Sequence, residues 1–259
     1  MDKNVTIISS LDLKQSMAEA KTGWGILMIV IMMRTVLAAI AQAVLTAALS
    51  LGGDRDALFS ATPWWTVTGT IIDGVCLFVL YRLTKREDIS IRSLTGFDRK
   101  RVWRDVLFGL VAFAAIFPVS LFLGSTSSSF ILYGTWQPVL PEGAFIRQLP
   151  LWGLLYSRLV WWVVWSFTEE VTYQGYALPR LRALTGKTWL SVLIIAVFWA
   201  LQHSFLPFFY NWKHFIWVFI TFLPMVIILQ LVYIRKGRLF PLIVTHWVMD
   251  LVSTFMITT

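Results

Sequence analysis

The 259-residue chain has a single cysteine, Cys76, so it cannot form an intramolecular disulfide; lying in an apolar run, that thiol reads as packing. Charge is also scarce. Asp, Glu, Lys and Arg make up 14% of the residues, against about 25% in an ordinary soluble domain. No HExxH and no GxSxG occurs, and no serine or cysteine is obviously paired with a histidine. The helix-borne zinc-protease pair and the serine-hydrolase elbow are therefore missing. Neither an internal repeat nor a low-complexity tract is present.

What the chain has in abundance is apolar surface. Hydrophobic residues account for 58% of it and the mean hydropathy is +0.72, which marks an integral membrane protein whose first partner is the lipid bilayer. The formal charge of +8 does not indicate nucleic acid. Its Lys and Arg lie between apolar runs, as in a multi-pass protein of the cell (plasma) membrane facing a cytoplasm. Residues 1–23 are too long and polar for a signal-peptide n-region, so an uncleaved cytoplasmic segment and no sizeable soluble domain are expected.

Seven spans are expected in an all-α polytopic bundle, at about 24–50, 64–84, 106–124, 151–178, 188–206, 214–234 and 239–257. The first three form an N-terminal unit (24–124), and 151–257 forms the core that carries the chemistry. Lys85, Arg86, Arg92, Arg99, Lys100, Arg101 and Arg104 follow span two; Arg180, Arg182 and Lys187 follow span four; Arg235, Lys236 and Arg238 follow span six. Alternating helices put all three groups on one side, which places the N-terminus in the cytoplasm and the C-terminus outside. The segment 125–150 contains a Ser run and prolines, so it is expected as an outer interfacial loop rather than helix. The basic stretch ISIRSLTGFDRKRVWRDV is expected to lie at the cytoplasmic interface.

Ionisable side chains at membrane depth are costly and mark function by default. The glutamate pair of FTEEVTYQG, Glu169 and Glu170, stands inside a tryptophan-rich span, and Arg34, Asp73, His203, His246 and Asp250 also fall within spans. Arg34 and Asp73 lie near the middles of antiparallel neighbours and read as a structural ion pair. Glu170 and Gln174, Trp199 and His203, and His246 and Asp250 are each four residues apart, so each pair shares one helical face. A carboxylate in a low-dielectric pocket is a competent base, and two adjacent carboxylates can divide roles. A histidine can share a water or protonate a leaving amine, and a second histidine near an Asp can hold an oxyanion. These are the parts of an amide hydrolase. No cofactor is assigned. Zinc accepts N and O donors, so Glu169, His203 and His246 are also the set that a divalent metal would take, and both routes stand on sequence alone. Simple helices put His246 about 10 Å and His203 about 20 Å from the cytoplasmic ends of their spans, so tilt or offset is needed to bring them together.

EEVTYQGYALPRL, FWALQH and KGRLFPLIVTHWVMD resemble the three motifs of the CPBP intramembrane proteases, the CAAX-processing and bacteriocin-processing enzymes also called the Abi family. The resemblance spans roughly residues 150–255. It implies Glu169 as the base that activates water, His203 assisting it, and His246 and Asp250 lining the oxyanion side, with Glu170, Gln174 and Trp199 as supporting residues. Gln174 stands where the family has Arg, and Trp199 where it has Phe. A neutral Gln can hydrogen-bond Glu170 but cannot neutralise it; either Glu170 keeps a proton or a cation such as Arg34 supplies the missing charge. A short chain with few loops is similar to bacterial members. The implied function is cleavage of a membrane-associated peptide, prenylated or of the bacteriocin or signal type. Two other readings follow from the same residues: a non-catalytic scaffold or immunity protein, favoured by Gln174, and a proton-coupled transporter, disfavoured because no inverted repeat is visible.

Overall fold

Helix α1 (Trp24–Leu51) shows how these runs become a bundle. Leu27, Ile31, Arg34, Ala38 and Gln42 are buried while Ile29, Val36, Ile40 and Val44 are exposed, so one face packs inward and the other is left for hydrocarbon. A computed structural model describes residues 22–139 and 149–257. Residues 1–21 of the expected N-terminal segment and 140–148 of the expected outer loop lie outside the described residues.

After α1 come α2 (Ala57–Ala61), α3 (Trp65–Arg86), α4 (Ile91–Thr95) and α5 (Val102–Tyr133). A nearly continuous helical path then runs through α6 (Leu151–Tyr156), a π-helical stretch at Ser157–Trp161, α7 (Trp162–Glu169), a second π stretch at Glu170–Ala177, and α8 (Leu178–Thr185). The chain closes with α9 (Thr188–His203), α10 (Trp212–Lys236) and α11 (Phe240–Ile257). The described residues contain no strand, so the expected all-α bundle is what forms. Trp24–Leu51, Ala57–Arg86, Ile91–Tyr133 and Trp212–Lys236 are long and apolar enough to cross a membrane by length and composition, while Thr188–His203 and Phe240–Phe255 are shorter apolar helices. Helix α1 packs on α3 and α9; α5 packs along α10 and α11; α11 also meets α7. Lipid is as apolar as leucine, so these contacts act through close packing and polar partners rather than through escape from water.

Two expectations need correction. The Ser run does not end the third helix, which continues to Tyr133. Ser125 donates to the Leu121 carbonyl (2.6 Å) and Ser128 to the Ser125 carbonyl (3.0 Å), while Ser128 also meets Thr221 of α10 at 3.2 Å. The Ser125 and Ser128 hydroxyls are satisfied by their own helix and its neighbour, which removes their reason to unwind it. Any side chain at Gly124 would strike the Thr221 backbone, so this is also where α5 and α10 come closest. The second correction concerns Arg180 and Arg182, which sit on helix α8 rather than in a loop. Arg180 turns inward to Glu87 and to the Tyr176 carbonyl.

The depth problem is resolved by staggered starts. Gly237, at φ 68°, turns the chain out of α10. Arg238 is then held under the basic segment, donating to Asp105 (2.7 Å) and to the Gly96 carbonyl (3.0 Å). Leu239 lies against Gly175, where a Cβ would come within 3.0 Å of it. Helix α11 therefore begins level with Gly175, about 9 Å along the path from Glu169 at helical rise. Helix α9 begins beyond the end of α8, at about twice that distance or more. Both bring their histidines to the level of Glu169. Leu94 of the basic segment is buried beneath this junction, so α4 is a packed support and not a free interfacial helix.

Candidate active site

Glu169 is the last residue of α7 and Glu170 opens the π stretch, a local widening that often accompanies function. Both carboxylates are fully buried. Trp199 of α9 donates its indole N–H to Glu169 Oε2 at 2.7 Å, and Gln202 donates its amide to Oε1. Arg34 Nη2 lies 3.5 Å from Oε1. Two histidines flank the same carboxylate: His203 Nε2 is 3.8 Å from Oε1 and His246 Nε2 is 3.6 Å from Oε2.

The histidines are fixed from behind. His203 Nδ1 lies 2.8 Å from the Trp199 carbonyl. That bond requires N–H at Nδ1, so neutral His203 presents a lone pair at Nε2 towards Glu169. Its ring stacks on Phe222, with centroids 3.9 Å apart. His246 Nδ1 lies 3.1 Å from Glu170 Oε1, and its Nε2 lies 3.7 Å from Asp250 Oδ2. That Nε2 is buried without a hydrogen-bond partner among the described residues. Gaps of this size between polar atoms are filled by a bridging water or by a substrate oxygen. Asp250 Oδ2 accepts the Ser166 hydroxyl at 2.5 Å. Gln174 donates to Glu170 Oε2 at 2.5 Å, and its Oε1 has no partner among the described residues. The site is least covered at Asp250 and His203, whose side chains are 14% and 9% exposed.

Arg34 and Asp73, from the first half of the chain, reach the same place. Arg34 donates through Nη1 to Asp73 Oδ1 and through Nε to Gln202 Oε1 (2.7 Å), and its guanidinium lies 4.4 Å from the centre of the Trp165 ring. Tyr173 also donates to Gln202 Oε1, at 3.0 Å, and stacks on Trp199. All the residues singled out in the sequence thus converge on one centre. Gln202, Ser166, Trp165 and Tyr173 were not foreseen. Trp165, Glu169 and Tyr173 recur every four residues, a face readable in the sequence; Gln202 stands beside His203 and carried no separate signal.

Among the described residues, no three His, Cys, Asp or Glu side chains are arranged to hold a metal ion. Each oxygen of Glu169 already accepts an N–H, and a guanidinium stands alongside. That environment suits a bare carboxylate better than a cation's ligand.

Fold and centre together define a polytopic helical membrane protein with a carboxylate–histidine site between its helices. Residues 150–252 match the family model described as type II CAAX prenyl endopeptidase, Rce1-like. The match agrees with the CPBP resemblance of the sequence motifs and implies CAAX-type intramembrane protease activity. It takes in Glu169, Glu170, Gln174, His203, His246 and Asp250, and leaves out Arg34 and Asp73. No curated protein and no solved structure matches the chain.

Proposed function

We propose that the chain is an intramembrane endopeptidase that hydrolyses a peptide bond of a membrane-associated substrate with a water activated by Glu169. The observation that carries this reading is the buried Glu169 carboxylate, flanked at 3.8 and 3.6 Å by the Nε2 atoms of two histidines held by other partners. Water lodged against Glu169 and His203 gives its proton to the carboxylate as its oxygen attacks the scissile carbonyl carbon. The carbonyl oxygen becomes an oxyanion and accepts a hydrogen bond from His246 Nε2–H. That role needs a proton on Nε2, supplied either by imidazolium or by the tautomer whose Nδ1 accepts from protonated Glu170. Asp250 faces Nε2 and, as a carboxylate, can only accept; it orients His246. Collapse of the intermediate breaks the C–N bond. The proton held by Glu169 passes to the leaving amine, giving one amine and one carboxylic acid product, and the acid then releases its remaining proton to water.

The substrate class follows from the family named by the match: a prenylated C-terminal peptide is tried first, with plain membrane-anchored peptides of bacteriocin or signal type beside it. The test is cleavage by the purified chain in nanodiscs, with and without chelator. Glu169→Ala and His203→Ala are each expected to lower turnover about 10²- to 10⁴-fold, the usual worth of a positioned base. Cleavage that survives Glu169→Ala overturns the assignment, and loss on chelation installs a metal. A second reading, a scaffold that keeps the fold without catalysis, draws on Gln174, which leaves Glu170 without a guanidinium on its own helix. A cellular phenotype that persists in both variants, with no cleavage by the unaltered chain, would establish it.

A further inference from the structure

A guanidinium reaches the site from the other half of the chain, at Glu169 and not at Glu170, whose partners are Gln174 and His246. Arg34 is fully buried, and among the described residues it is the only Lys or Arg in contact with Glu169. It reaches Oε1 directly at 3.5 Å and again through Gln202, whose amide oxygen accepts from Arg34 Nε and whose amide N–H donates to the same Oε1. Gln202 has no freedom to turn, because Tyr173 donates to its Oε1 as well. The guanidinium is itself fixed by Asp73 and by the Trp165 face.

We infer that Arg34 is a positioning residue for the reaction: it holds Glu169, directly and through Gln202, in the orientation and charge state that accept a proton from water, and Asp73 serves to hold Arg34. The inference rests on the protease reading above. It means that the working unit extends beyond residues 150–252 to α1 and α3.

A purely structural Arg34–Asp73 pair makes a different prediction. Removing one partner of a buried pair is damaging, while replacing both by apolar residues of similar size is often tolerated. Arg34→Met, Arg34→Met/Asp73→Leu, Arg34→Lys and Glu169→Gln are therefore compared with the unaltered chain in nanodiscs, reading thermal unfolding, kcat and KM. The double variant is expected to regain the unfolding temperature lost by Arg34→Met. Its kcat stays about 10- to 100-fold below the unaltered chain at little-changed KM, the usual size of an effect acting through another group. Arg34→Lys, which keeps the charge and loses the fork, falls between. A double variant that regains kcat together with stability overturns the inference while leaving the protease reading intact. If the double variant does not fold, Arg34→Lys decides: reduced kcat at unchanged unfolding temperature supports the role, and undiminished kcat overturns it. Failure of the unaltered chain to cleave any peptide, matched by Glu169→Gln, sinks the protease reading and this inference with it.

Discussion

Two charge clusters lie along the path from α7 to α8, one half-buried and one fully buried, and they are built differently. At the basic end, Arg180 donates to both oxygens of Glu87 and to the Tyr176 carbonyl, and lies over the Tyr176 ring. Glu87 also accepts from Thr22 (2.7 Å) and Tyr176 (2.9 Å). Among the described residues, no buried side-chain atom of Thr22, Glu87, Tyr176 or Arg180 is left without a partner, and the cluster is closed. Around Glu169, by contrast, His246 Nε2, Gln174 Oε1 and Asp73 Oδ2 are buried without partners among the described residues. An unsatisfied polar atom in a low-dielectric interior is expensive. A closed cluster is stable by itself; an open one is explained by what it handles. Both clusters tie the second half of the chain to the first, Glu87 through Arg180 and Arg34 through Glu169.

The largest effect that separates the two lies in stability. Arg180→Met leaves the half-buried Glu87 without its guanidinium and, discounted for solvent screening, is expected to cost about 1–2 kcal/mol of unfolding free energy, with the kcat of the folded protein unchanged. A matching fall in kcat would make the basic-end cluster part of the site and erase the distinction. A smaller effect appears with pH. Burial alone would raise the Glu87 carboxyl, but the Arg180, Thr22 and Tyr176 hydrogen bonds and the Arg180 charge outweigh it and hold the group below its ordinary 4.5. The stability this contributes is fully present above that ordinary value and is lost as pH falls through the depressed one. The difference in unfolding temperature between the unaltered chain and Glu87→Gln should therefore shrink as pH is lowered from about 6 to about 3. A difference that stays constant over that window would mean that Glu87 acts through its shape and not its charge.

How much of this the sequence already carried depends on the kind of signal. An all-α membrane bundle was readable, because span length and apolar runs are set by the bilayer. The carboxylates and histidines were readable because such groups are rare at that depth. The end of α5 was not, since a Ser run reads as loop until its hydroxyls find the Leu121 carbonyl and Thr221. Arg34 was visible, but its reach to Glu169 depends on how α1, α7 and α9 pack, which no local pattern encodes. Gln202 and Ser166 escaped because neutral polar residues in a span are common enough to pass unnoticed.

Ser166 sharpens the contrast at the finest scale. Its hydroxyl donates to Asp250 Oδ2 at 2.5 Å while sharing the Trp162 carbonyl of its own helix at 2.8 Å. Asp250 in turn faces His246 Nε2. Ser166→Ala removes one hydrogen bond to a carboxylate that does not itself react, and alanine is at home in a helix. The expected result is a fall in kcat of about 2- to 10-fold with an unchanged unfolding temperature. A fall beyond about 100-fold would make Asp250 a group that exchanges protons with the substrate rather than one that orients His246. No fall at all would reduce Asp250 to a partner of its own helix and leave His246 oriented by Glu170 alone.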